Sequence, residues 1–258
     1  MFRTIFKILI ALSLIAILNS NVFAGTNGRL KIYCGITMMQ AMGEIAKIVE
    51  AEYNCPRIKF VRGGSGDLKR QLLENQDGDL YLPGCESYID KLKSEHPGFV
   101  LEHAHVGFNQ AAIFVKKSNP KGIKPELNSL LNPDYKIIIG DTSQGSIGIE
   151  TKKVLTKKGI YQQVLGRAIT TLHSKTLTAA IKTGEADVTI NWFAVSTWPE
   201  NVKFLDAFLI DKKYATPEKL VLTVLKTATM QYLANKFLAY AASEKGKAIF
   251  KKYGLYNE

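Results

Sequence analysis

The chain repeats one device four times: a short apolar run, a tight turn carrying Ser or Thr, then a stretch with helical spacing. It stands at 30–37, ending on Thr37, and at 58–65, ending on Ser65. It recurs at 137–146, ending on Ser146 beside Ile147, and more loosely at 168–174, ending on Ser174. Repeated strand–turn–helix units imply parallel strands, because a parallel pair needs a long crossover and a helix is the compact one. The periodicity predicts strands at 29–34, 57–62, 79–82, 110–115, 136–140, 168–172 and 187–191. Helices are expected at 38–52, 66–75, 86–94, 147–158, 161–166, 175–183, 228–241 and 243–252, with further apolar runs at 203–209 and 219–225. Met39, Met42, Ile45, Ala46 and Val49 recur at helical spacing and read as a buried face. Gly159 supplies a stop signal for the helix before it.

Each junction has two chemical readings. A hydroxyl at a helix start caps backbone N–H groups of its own helix, or it faces outward as a donor. Unpaired first-turn amides and the helix dipole also make such a junction a seat for an anion. Two junctions fall in each half of the chain, and ligands of α/β sheets gather outside the carboxyl ends of the strands. The expectation is two lobes with an anion held between them. Such a site is donor-only: a fully ionised oxyanion accepts from N–H and O–H groups, and neighbouring carboxylates repel it. Asp67 and Asp141, close to two junctions, accordingly read as cap or turn residues.

The first residues bear on location. Arg3 and Lys7 precede an apolar run from Ile8 to Leu18, and Val22-Phe23-Ala24 places small residues at −3 and −1 before Gly25. That pattern reads as a secretory signal peptide over 1–24. About 234 residues remain after it, enough for one large core or two smaller ones. Its removal lowers the formal charge of +11 by two. The remaining lysines are scattered in small groups, as on a solvated surface, and no basic stripe is interleaved with aromatics. Nucleic acid is therefore not an expected partner.

Cys34, Cys55 and Cys85 are an odd count in an oxidising compartment, which allows at most one internal bridge. Cys34 and Cys85 each follow a predicted strand end. If those strands are neighbours, the two thiols come within reach of a disulfide. No Cys-x-x-Cys occurs, and His103 and His105 lack a third ligand, so no protein-ligated metal or cofactor is expected. The glycines of Gly140 to Gly145 have P-loop spacing, but Ser146 stands where Lys is required. His173 next to Ser174 has no orienting acid, and no nucleophile elbow is present. The chain is not expected to be an enzyme.

Six segments, in order and spacing, resemble the periplasmic molybdate/tungstate-binding (ModA-like) family of ABC-transporter substrate-binding proteins. They are Ile36 to Ala46, Gly64 to Leu72, Gly78 to Leu82, Ile139 to Ile149, Gly184 to Val188 and Ala248 to Gly254. The resemblance implies a type II periplasmic binding protein fold: two lobes, each a mostly parallel sheet flanked by helices, closing on a bound oxyanion. It places lobe I at 25–110, with 205–258 returning to it, and lobe II at 111–204. It further implies a periplasmic monomer that delivers its anion to a membrane permease and ATPase. Residue by residue, the family's contacts fall on Thr37, Ser65, Ile147 beside Ser146, and Ser174. The last position, commonly a Tyr hydroxyl, holds Trp192 here. Some relatives with Trp at this place bind small organic or phosphorylated anions, and Lys175 beside Ser174 points the same way. A surface adhesin or a periplasmic enzyme on the same fold is the reading from another class.

Overall fold

The computed structural model describes residues 28–55, 58–143 and 145–255, so the expected signal peptide lies outside the described residues. In the first lobe, β1 (Lys31–Gly35) runs parallel to β2 (Lys59–Gly63) and β3 (Leu80–Leu82). Helices α1 (Met39–Tyr53), α2 (Ser65–Asn75) and α3 (Ser87–Glu95) follow the three strands in turn. Two further strands, β4 (Val100–Asn109) and β10 (Glu218–Leu225), complete the order β2-β1-β3-β10-β4, with β10 antiparallel to both neighbours.

This sheet is buried on both faces, and the pleat divides its side chains. Ile32, Cys34, Leu80 and Leu82 pack with Met42 and Val49 of α1 and with Phe237 and Phe250 of the C-terminal helices. Those helices are α7 (Gln231–Ala242) and α8 (Glu244–Lys252). Tyr33 and Tyr81 point the other way, into a second core with Leu68, Leu72, Cys85 and Tyr88. Each fully buried aliphatic or aromatic side chain contributes about 1.5–3 kcal/mol from leaving water.

The second lobe begins with β5 (Ala111–Lys116), antiparallel to β8 (Val188–Trp192) and to β9 (Leu205–Leu209). The parallel pair β6 (Ile138–Gly140) and β7 (Ile169–Thr171) joins β8 through a bridge between Ile137 and Val188. Helices α4 (Ser146–Lys158), α5 (Tyr161–Leu165) and α6 (Ser174–Thr183) cover it, and a separate core forms around Phe114, Ile139, Leu177 and Ile190. Gly159 ends α4 at φ +81°, its N–H bonded to the carbonyls of Leu155 and Thr156.

The two-lobed α/β architecture stands, with three corrections. The sheets are mixed rather than mostly parallel, because the strands at the lobe crossings (β4, β5, β9 and β10) pair antiparallel. The segment from 205 does not return at once to the first lobe, since β9 pairs with β5; the return falls between Ile210 and Glu218. The Cys34–Cys85 disulfide is absent: all three cysteines are free. Strands β1 and β3 are neighbours as expected, but Cys34 lies opposite Leu82 on one face of the sheet. Cys85, three residues further on, packs on the other face and bonds to Ser87.

Candidate functional site

The junctions after β1, β2, β6 and β7 converge where the lobes meet. Thr37, Ser65, Ser146, Ile147, Ser174 and Trp192 all line one cavity of about 20 Å³ between the lobes. All six are buried, from 1% exposed for Ile147 and Trp192 to 7% for Ser146. The first lobe brings Thr37, in a 3₁₀ turn of Ile36–Met38, and Ser65, at the start of α2. The second brings Ser146 and Ile147 at the start of α4, and Ser174 at the start of α6.

The three serines are the first helical residues, not caps. Gly64 and Gly145 hold the N-cap positions of α2 and α4, and neither helix has a side-chain hydrogen bond at its cap. A helix start leaves its first amides without intrahelical acceptors. With glycine at the cap, no local side chain takes them, and they face the shared cavity with the dipoles behind them. The self-capping reading of Ser65 and Ser146 is thereby set aside.

The Ser65 and Ser146 hydroxyl oxygens each accept a hydrogen bond, which leaves their protons free to donate. Ser65 Oγ accepts from the Gly84 N–H at 2.9 Å, and Ser146 Oγ accepts from Trp192 Nε1 at 3.2 Å. Trp192 thus spends its one N–H on orienting Ser146 rather than on a ligand. Thr37 Oγ1 donates to Met38 Sδ at 2.8 Å, a weak acceptor that an anion outcompetes. Asn109 Nδ2 donates to the Gly84 carbonyl at 2.9 Å. Asn191 Nδ2 donates to the Ser174 carbonyl at 2.9 Å and to Thr178 Oγ1 at 3.0 Å.

Gly84, Asn109 and Asn191 are therefore parts of the site that sequence reasoning missed. Each is a lone residue at a strand end with no periodic signal; Gly84 reads in sequence only as half of a Pro-Gly strand stop. Among the expected turn residues, Asp141 accepts from the N–H and hydroxyl of Ser143. Asp67 lies in the first turn of α2, 3.5 Å from Arg70.

Among the described residues, no carboxylate and no ammonium or guanidinium lines the inner cavity. His173, which does line it, is held below the ordinary imidazole range by burial, and so toward the neutral form. A cleft of about 650 Å³ adjoins it, sharing Ile36, Gly63 and His173. Lys47, Arg62 and Lys175 lie along this outer cleft, together with Glu44 and Glu200. Glu44 is already engaged, accepting from Lys252 at 2.7 Å and Tyr253 at 2.6 Å. Elsewhere, His103 approaches Lys93, and His105 bonds to the Gly107 carbonyl. No cluster of metal-ligating side chains occurs among the described residues.

Two α/β lobes enclosing a cavity lined by helix N-termini define a solute-binding protein. The chain belongs to the bacterial extracellular solute-binding protein family, whose profile matches residues 30–256. Solved structures of the same fold include the periplasmic molybdate-binding protein of Azotobacter vinelandii, with TM-score 0.77 and 16% identity over 89% of this chain and 100% of that one. The sulfate-binding protein SubI of Mycobacterium tuberculosis has TM-score 0.77 and 15% identity over 88% of this chain and 86% of its own. PEB3 with L-phospholactate bound has TM-score 0.72 and 19% identity over 89% of this chain and 100% of its own; Peb3 is from Campylobacter jejuni. No curated protein matches the sequence.

Proposed function

We propose that the chain is the periplasmic receptor of an ABC importer, and that it binds a tetrahedral oxyanion of the molybdate or tungstate type between its lobes. The observation that carries this reading is the convergence of the glycine-capped starts of α2 and α4, with the start of α6, on one cavity whose described lining residues carry no full charge. Oriented amides and hydroxyls stabilise an anion without the desolvation cost of a buried cation. Hydrogen bonds to a charged group contribute about 1.5–3 kcal/mol each. Four or five of them supply the gross energy for tight binding, against the cost of ordering two lobes around the ligand. Thr37, Ser65, Ser146, Ile147 and Ser174 make these contacts, while Trp192 closes the seat by holding Ser146. The reading includes export by the leader at 1–24, a lobe I of about 25–110 with the C-terminal return, and action as a monomer.

A second reading keeps the receptor and changes the cargo. The outer cleft opens directly from the seat and carries Lys47, Arg62 and Lys175. An organic anion with a phosphoryl or similar head would place that head in the seat and its remainder in the cleft. The two cargoes separate in a thermal-shift panel of molybdate, tungstate, sulfate, phosphate, citrate and phosphoglycerate, run on protein stripped by unfolding and refolding. A ligand at about 100 times its Kd stabilises by about 2.7 kcal/mol, a rise in Tm of several degrees for a chain of this size. A shift with the metal oxyanions alone supports the first reading, and a shift with organic anions alone supports the second. No shift across the panel counts against both.

Ser65→Ala is expected to weaken binding of the stabilising anion about 10-fold or more in calorimetric titration, with the far-ultraviolet spectrum and Tm of the anion-free protein nearly unchanged. Unchanged affinity removes Ser65 from the contacts.

A further inference from the structure

One turn beyond Ser146 and Ile147, α4 carries a charge cluster that the anion seat does not use. Glu150 is 2% exposed, and its Oε1 has no hydrogen-bond partner. Its Oε2 lies 3.6 Å from Lys153 Nζ on the same helix. The Lys153 ammonium also reaches Glu218, the first residue of β10. Glu218 pairs with Asn109 at the end of β4, so it stands where the chain crosses between the lobes. From the first lobe the buried Cys85 thiol faces the same two carboxylates, and burial keeps it protonated by raising it to about 11. Ile149, next to Glu150, packs on the first-lobe core of Tyr33, Leu68 and Tyr81.

One half-exposed ammonium therefore serves two carboxylates, of which Glu150 is buried and Glu218 is partly exposed. With both ionised, the cluster keeps an uncompensated negative charge at a buried position, which is costly. With Glu150 protonated, the charges balance, and a carboxyl O–H becomes available as a donor. We propose that Glu150, Lys153 and Glu218 form a proton-dependent latch, which holds α4 and the second lobe's share of the seat against the first lobe.

Burial and the neighbouring Glu218 push Glu150 up to about 8. The direction of the pH effect follows from that rise. An acid whose pKa is higher in the closed form favours closure fully below its ordinary value near 4.5, and the contribution is lost as pH rises through about 8. Closure weakens across that window, by at most about tenfold per pH unit for one proton, and then levels off.

The test needs no ligand, so its failure and the failure of the anion reading are separate events. Small-angle X-ray scattering of the anion-free chain, in buffers without oxyanions at pH 5, 6.5 and 8.5, reads lobe separation as the radius of gyration. The wild type is expected to expand as pH rises. Glu150→Gln, which removes the titrating proton, is expected to stay compact at all three values. Glu218→Gln, at a more accessible position, leaves one carboxylate for one ammonium; it is expected to flatten the profile too, and it serves if Glu150→Gln does not fold. A wild type whose dimensions do not change, or folded variants that follow the wild-type profile, would overturn the latch.

Discussion

Gly84→Ala is expected to leave each lobe folded and to remove most of the affinity for the anion. Gly84 follows β3 and has no left-handed φ, so its backbone accepts alanine. A Cβ there would stand 2.2 Å from Ser146 Oγ and 3.1 Å from Ser146 Cβ, across the lobe boundary. Either Ser146 turns away and gives up its bond from Trp192, or the lobes stop short of contact. Overpacking of this kind costs about 1–3 kcal/mol. Here the cost falls on the closed form alone, so affinity drops about 5- to 150-fold. Calorimetric titration measures that loss, and the melting curve of the anion-free protein shows whether the lobes are intact. Wild-type affinity in this variant would mean that the lobes do not close on Ser146.

Ser146→Ala combines two losses. The seat loses a hydroxyl donor to a charged ligand, worth about 1.5–3 kcal/mol. Trp192, 1% exposed, loses the acceptor of its indole N–H, and a buried unpaired donor costs about 1–3 kcal/mol of stability. Affinity is expected to fall about 10- to 150-fold, with a measurable drop in Tm even without anion. A double-mutant cycle with Trp192→Phe separates the parts. In the Phe background the stability cost of Ser146→Ala should shrink, because no indole N–H is left stranded. An equal cost in both backgrounds would show that Trp192 does not act through Ser146.

Much of the architecture was legible because buried βα units write themselves as short apolar runs followed by helical spacing. The helices from α1 to α8 fall within a few residues of their expected positions. Strand β4 was not legible: its sequence, Val100 to Asn109, mixes Glu and two His with apolar residues, and only three of its ten residues are buried. Its partner β10 lies more than a hundred residues away, so nothing local announces the pairing. The cavity-lining residues were legible as Ser and Thr at strand–helix turns, but whether they cap their own helices turned on a one-residue offset. A serine at the N-cap serves its own helix, whereas a serine one position later, behind glycine, leaves the first amides open. Only coordinates separate the two. The disulfide expectation failed for a related reason, since adjacent strands bring thiols together only when the pleat sends both to one face.

The most direct measurement is a crystal structure of the protein with the panel oxyanion that stabilises it most. The expected result is the tetrahedral centre inside the inner cavity, with its oxygens within hydrogen-bond distance of the first-turn amides of α2, α4 and α6 and of the Thr37, Ser65 and Ser146 hydroxyls. An anion held instead among Lys47, Arg62 and Lys175, with the inner cavity unchanged, would contradict it.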